Sequence, residues 1–254
     1  MSVDEEYLLS EALTLLGQFD GLPNLEGLEN LRLGLGLRKP QRKIISLSKN
    51  PLEDSNILGE LFTAISQKLT ITLYYHTFKA KEARLSVNLY PYLLKEYNRR
   101  WFLIAAAESD GKLLTFSLDR IDDVKPLSSH KYAEYEGDIN EIYEDIIGIT
   151  YKEESPVYKI LFWVSNMSAD YVATKPLHES QRNIGSAHET ELRSQFPQLI
   201  EGRFFLIECK ENYELIRELT SFGKDLVVLS PSPITGMVEK RISDMNEIYS
   251  DLRK

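Results

Sequence analysis

From Leu69 the apolar residues stop recurring at helical spacing and begin to alternate. Four runs carry the new period: "LTITLYYHTF", "ARLSVNLYPYLLKEY", "RWFLIAAAES" and "LLTFSLDRI". They are rich in aromatic and β-branched residues, which fit a pleated, half-buried surface. Short polar stretches part them, and Asp110-Gly111 is a strong tight-turn signal. Strands this short, joined this tightly, predict a small antiparallel barrel or a strongly bent sheet.

The flanking segments read differently. "DEEYLLSEALTLLGQF" sets Leu8, Leu9, Ala12, Leu15 and Leu16 on one helical face, and a shorter helix, "LEGLENLRLGL", follows Pro23. "RKIISLS" predicts a lone strand near 43–47. "DSNILGELFTAISQK" then opens with Asp54 or Ser55 as N-cap and presents Ile57, Leu61, Phe62 and Ile65. After an acidic connector ending in "DIIGITY", strands are predicted at "VYKILFWV", "RFFLIECK" and "LVVLS". Helices are predicted at "SADYVATK", at "NYELIRELTSFG" with Gly223 as C-cap, and at "ITGMVEKRISDMNEIYSDLRK". If "ETELRSQ" or its neighbours supply one more strand, the order is the βαββαβ of a ferredoxin-like unit. The fold class is therefore α+β. Residues 1–67 form a helical connector, 68–128 the barrel, 129–155 an acidic linker and 156–254 the ferredoxin-like domain.

At 254 residues, 43% hydrophobic and 27% charged, the chain is long enough for two cores. The single cysteine, Cys209, sits in the alternating run "FFLIECK" with no His or Asp motif beside it, which reads as a buried structural thiol. The acidic start "MSVDEEYLLSEALTLL" is unlike a signal peptide, and no apolar run reaches the roughly 18 residues of a membrane span. A cytoplasmic location with no membrane partner is the expectation.

The net charge of −9 argues against non-specific binding of nucleic acid by the whole surface. The charge is unevenly placed, however. Between Lys79 and Arg100 six cationic residues face two anionic ones, whereas residues 131–154 carry eight anionic against two cationic. A basic segment lies inside an acidic molecule.

Within it, "NRRWFLIAA" decides between two readings. As a strand it sends Arg100, Phe102 and Ile104 to one side and Trp101, Leu103 and Ala105 to the other, so its first residues leave the core. Arg99 and Arg100 are then either a solvated hairpin or the cationic rim of a ligand groove. His76 reads as a satisfied histidine of the sheet, a ligand contact or a metal ligand. His76, His130, His178 and His188 do not show the grouping that a metal site requires. His178 and Ser180 lack a third orienting group, and no phosphate loop, HExxH or paired-carboxylate motif stands out. No cofactor, metal or enzymatic activity is expected.

"RLSVNLYPYLLKEYNRRWFLIAA" followed by "LLTFSLDRI" resembles the core of the WYL domain, with its triplet present as Trp101-Phe102-Leu103. The segment around "TKPLHESQ" resembles the extension that follows this domain, and the opening helices resemble the connector that precedes it. The resemblance implies a bacterial transcription regulator, with an SH3-like or Sm-like barrel binding single-stranded nucleic acid, a nucleotide or another anionic effector, and a homodimeric extension. On it, His76, Arg84, Arg100 and Arg120 fall at groove positions, although Arg120 could equally serve a structural contact with Asp119. Pro91 matches the proline of the second run. Tyr92, Lys95, Tyr97, Asn98 and Trp101 fill the adjoining hairpin, where tyrosines either stack on bases or pack across strands. The loop "TKPLHESQRN" is expected to be a contact surface. Phe102 replaces the triplet's tyrosine, and Leu114 and Ser117 stand where many members have arginines. The winged helix-turn-helix of such regulators is not legible in residues 1–254, so specific duplex DNA binding is expected only through such a domain. The alternative is a nucleic-acid-associated accessory factor or enzyme subunit that uses the barrel as a binding module.

Overall fold

The computed structural model describes residues 3–16, 30, 33–36, 55–77 and 80–253. The expected strand near 43–47, most of the helix after Pro23, the Asp54 cap and Lys79 lie outside them. The chain divides into two compact units, Met1–Gly137 and Asp138–Lys254.

In the first unit α1 spans Val3–Leu16 and α2 spans Ser55–Ser66. Five strands follow: β1 Ile71–Thr77, β2 Ala80–Tyr97, β3 Arg100–Ala107, β4 Leu113–Ser117 and β5 Ile121–Pro126. They form one antiparallel sheet in the order β4-β3-β2-β1-β5. At about 3.3 Å per residue, the 18 residues of β2 drawn straight would run about 60 Å. That is too long for a unit of this size, so β2 bends. Its first half pairs with β1 and its second with β3, and the register slips between Pro91 and Leu93, where an extra residue kinks the strand.

The bend is needed for a second reason. β4 and β5 are the two edges of the sheet, yet only one 3-10 turn, Leu118–Arg120, joins them. Four strand spacings of about 4.8 Å would separate the edges of a flat sheet by about 19 Å. Three residues of 3-10 helix, rising about 2 Å each, fall far short of that. The sheet curls until its edges approach, and Tyr75 of β1 meets Phe116 of β4 edge-on with ring centroids 5.1 Å apart. This corrects the expected barrel: among the described residues no ladder joins β4 to β5, and the sheet is curled but open.

α2 plugs the concave side. Ile57, Leu58, Leu61 and Ala64 pack with Ile71, Leu73, Leu89, Leu103, Ala105, Ala107, Leu118, Ile121 and Val124. Phe62, expected on this face, is exposed, because Leu58 and Ala64 lie nearer the axis set by Ile57 and Leu61. On α1, Leu13 is buried while Leu8, Leu15 and Leu16 are exposed, so the expected apolar face is not the buried one.

The second unit runs β6 Val157–Ser165, α3 Asn166–Thr174, β7 Arg182–Asn183, α4 Ser186–Gln195, β8 Gly202–Lys210, α5 Tyr213–Ser221, β9 Leu226–Ser230 and α6 Ser232–Asp251. Its antiparallel sheet has the order β7-β8-β6-β9. The expected βαββαβ order is interrupted, because "ETELRSQ" lies in α4 and the missing strand is the two-residue Arg182–Asn183. Alternation divides the sheet cleanly. Ile160, Phe162, Val164, Phe205, Ile207 and Cys209 face α3, α5 and α6, while Trp163 and Phe204 face Leu192 of α4. Asn212 caps α5 by accepting the Leu215 N–H at 2.8 Å, and donates its amide to the carbonyls of Ile147 and Thr150. Among the described residues no helix is long and apolar enough to cross a membrane.

Burial pushes the Cys209 thiol up to about 12, which leaves almost no thiolate at neutral pH. Iodoacetamide should therefore label the native protein only as fast as the second unit opens, and at the rate of a free thiol in denaturant. A fast native rate would contradict the buried position.

Candidate functional site

Four residues, Tyr97 to Arg100, turn β2 into β3, with Asn98 and Arg99 both at positive φ (52° and 65°). Two such residues match the right-handed twist of a two-residue hairpin. Asn tolerates that conformation well, while an arginine at φ 65° is uncommon. Both side chains are exposed. The hairpin lifts Arg100 out of the core while Trp101 packs against it. Tyr97 lies opposite Arg100, and Lys95 opposite Phe102, so these four share the outer face. Trp101 is on the other face, away from Arg100.

The corner turn Leu118–Arg120 collects the rest. Arg100 forms an ion pair with Asp119 at 3.3 Å; the Asp119 side chain is only 4% exposed, against 38% for Arg100. Ser117 donates its hydroxyl to the same carboxylate. The Arg120 guanidinium lies over the Tyr75 ring, 4.9 Å from its centroid, a cation–π geometry. Burial holds the Tyr75 hydroxyl above its ordinary range, and the negative charge of Asp119 adds to the effect. His76 Nδ1 is 3.2 Å from Asp122 Oδ1, two residues beyond Arg120. The turn thus carries Arg120 and pairs its Asp119 with Arg100, while His76 is paired with Asp122 near the start of β5. Arg84 is opposite His76 in the β1–β2 ladder, and its side chain lies outside the described residues. Asp119, weighed in the sequence as a structural contact for Arg120, forms its ion pair with Arg100.

Tyr92 is placed elsewhere. It donates its hydroxyl to the Ala133 carbonyl at 3.1 Å, and its ring meets those of Tyr132 and Tyr135. Tyr132 in turn donates to the Pro91 carbonyl at 2.7 Å, and burial pushes its hydroxyl up to about 12. His130 lies 2.7 Å from Glu108, whose carboxyl this contact lowers, and Asn88 donates to the other Glu108 oxygen at 3.0 Å. These groups fasten residues 130–135 across the sheet.

The "TKPLHESQ" loop is tied within the second unit. Ser180 Oγ accepts the Glu208 N–H at 2.8 Å and lies 2.7 Å from His178 Nδ1. Gln181 accepts from the Leu177 N–H and donates to the Val172 carbonyl. Among the described residues no group of three or more His, Cys, Asp or Glu side chains could hold a metal ion.

Residues 56–126 match the family described as the WYL domain. The chain carries a WYL domain. All nine expected site residues, from His76 to Arg120, lie within the matched segment, as do Tyr75, Ser117, Asp119 and Asp122; of these four, Tyr75 and Asp122 were not anticipated, while Ser117 and Asp119 had been noted in other roles. One solved structure that is similar is proteasome accessory factor B/C (PafBC) of Arthrobacter aurescens. It shares 15% identity over 96% of this chain and 36% of that one, with a TM-score of 0.32. A second is a CRISPR Cas-related protein, with 15% identity over 79% of this chain and 54% of that one, and a TM-score of 0.44. This chain therefore spans between about a third and about a half of the structures it matches. No curated protein matches it.

Burial holds His178 below its ordinary value of 6.5, even though the Glu144 carbonyl accepts a hydrogen bond from it. The unfolded chain then takes up a proton near that value and the native state only at lower pH. This contribution to stability is complete above about pH 7 and is lost as pH falls below it. In urea melts, the loss of stability between about pH 7 and pH 5 should be smaller for His178→Gln than for wild type; equal losses would show that the ring is not shielded.

Proposed function

We propose that this chain is the ligand-sensing and dimerising part of a bacterial WYL-family transcription regulator, which works in the cytoplasm by binding rather than by catalysis. The effector is single-stranded nucleic acid, or a nucleotide that carries the same phosphate chemistry together with a base. The observation that carries this reading is the pairing of Arg100 with the corner turn that also holds Arg120, with Tyr97 on the face of Arg100; His76, paired with Asp122 of β5, is the third cationic group. Guanidinium groups supply paired donors for phosphate oxygens, and a half-buried tyrosine at a hairpin offers a surface on which a base can stack. On this reading the curled sheet is the SH3-like or Sm-like element of the domain. The second unit is a ferredoxin-like variant with α4 inserted.

The reading is tested by fluorescence anisotropy with a short labelled single-stranded oligonucleotide. The double change Arg84→Glu with Arg100→Glu should abolish binding, since removing a charge-assisted hydrogen bond costs on the order of 1.5 to 3 kcal/mol. Arg99→Glu, in the exposed turn next door, should weaken it by less than about threefold. Affinity should also fall steeply as salt rises. Equal losses from all the arginines would reduce the attraction to general charge.

Self-association is supported by α6. Its last three turns carry Ile242, Met245, Ile248, Tyr249 and Leu252, all exposed, along one side of the helix. Lys240 and Arg241 flank the beginning of this stripe, and Glu247 and Asp251 its end. An antiparallel pairing with a second copy sets those charges against each other. Light scattering at tens of micromolar should give a dimeric mass for the wild type and a monomeric one for Met245→Glu with Tyr249→Glu. A wild-type monomer would refute the pairing.

A further inference from the structure

Among the described side chains, the cationic groups near the corner already face carboxylates: Arg100 is paired with Asp119, and His76 lies against Asp122. Asp119 is the unusual member. Its carboxylate is almost wholly shielded from water, is fixed by the Ser117 hydroxyl, and faces the more exposed guanidinium of Arg100. Water does little to disperse a charge so placed, and its field falls on Arg100 and on Tyr75.

We infer that Asp119 is a resident counter-ion that determines which anions the corner accepts. This rests on the reading that the corner binds an anion. A ligand phosphate at Arg100 must share that guanidinium with Asp119 or take its place. If it takes its place, a buried carboxylate is left with only the Ser117 hydroxyl, a costly arrangement. An isolated phosphate brings no other interaction to offset this. A strand of phosphodiesters does, because a base can stack on Tyr97, which lies opposite Arg100 on the same face, while further phosphates add contacts along the strand. Asp119 therefore rejects small free anions and admits a chain of them. The sequence contributes to the arrangement through Ser117, whose short hydroxyl holds the carboxylate where a longer cationic side chain would compete for it.

The test is a charge cycle on the full chain, read by anisotropy with a labelled single-stranded oligonucleotide at fixed salt. Asp119→Asn removes the internal competitor and should tighten binding by about tenfold. Arg100→Gln leaves the carboxylate facing the ligand with its partner gone and should weaken binding by at least about tenfold. The two together should return to within about threefold of wild type, because pair and counter-pair are removed at once. Asp119→Asn that weakens binding or leaves it unchanged overturns the inference, as does a double variant as weak as Arg100→Gln. Circular dichroism checks that each variant folds. Should Asp119→Asn unfold, the double variant against Arg100→Gln decides, and a wild-type measurement stands apart from both. Inorganic phosphate should displace the strand no better than chloride at equal ionic strength; preferential displacement by phosphate overturns the inference. Wild type that binds no strand at all sinks the functional reading and this inference with it, whereas strand binding with the wrong cycle sinks the counter-ion alone.

Discussion

The 3-10 turn Leu118–Arg120 must join the two edges of a five-stranded sheet, and the shape of the first unit follows from that short span. A flat sheet cannot be closed by three residues, so β2 bends at its extra residue, Tyr75 reaches Phe116, and α2 has a concave surface to fill. The same turn sets the chemistry. Its residues are drawn against the ends of β1 and β3, which puts Asp119 beside Arg100 and Arg120 over Tyr75, and β5, which leaves the turn, brings Asp122 beside His76. Side chains distant in sequence become neighbours because the backbone has no longer route.

The second unit is organised by buried polar ties instead. Asn212 caps α5 and grips the 147–150 segment, Thr150 donates to Glu214 at 2.9 Å, and Ser180 substitutes for a strand residue along β8. Gly148, at φ 85°, lies so close to Glu214 that a Cβ there would approach its Cγ to 2.5 Å. The Asn212 and Ser180 ties satisfy backbone groups that irregular chain would otherwise bury unpaired. They allow a segment with little regular structure to pack as tightly as the sheet beneath it.

Four of the five strands of the first sheet were legible as apolar runs, β5 was not because "IDDVKP" buries only Ile121 and Val124, and α5 was legible through its apolar spacing and Gly223, at φ 58° just past its end. Where the reading failed, the signal was too short or came from elsewhere in the chain. Arg182–Asn183 is a strand only because β8 pairs with it, and two residues have no period. Phe62 and Leu58 are equally apolar, and the sheet decides which of them it covers. Nothing in "SLDRI" states that its aspartate is buried, since the groups that bury it come from β3 and β4. The cationic half of the corner was visible by residue type and family pattern. The carboxylate half needed the β3–β4 register, which runs on to set Asp119 against Arg100.

The ladders of the first sheet also differ in how far they reach along the chain. Tyr97 and Arg100 pair across a two-residue turn, while Ile71 and Pro126 pair across more than fifty residues. Loop-closure entropy favours the near pairing, so the β2–β3 hairpin can form early and the β1–β5 ladder follows only when the chain beyond it has emerged and curled. The Arg100–Asp119 pair belongs with the near contacts, because the β3–β4 register that sets Phe102 against Ser117 runs on to it. The His76–Asp122 contact spans the long closure instead, so a chain in which only the hairpins have formed holds the first pair without the second.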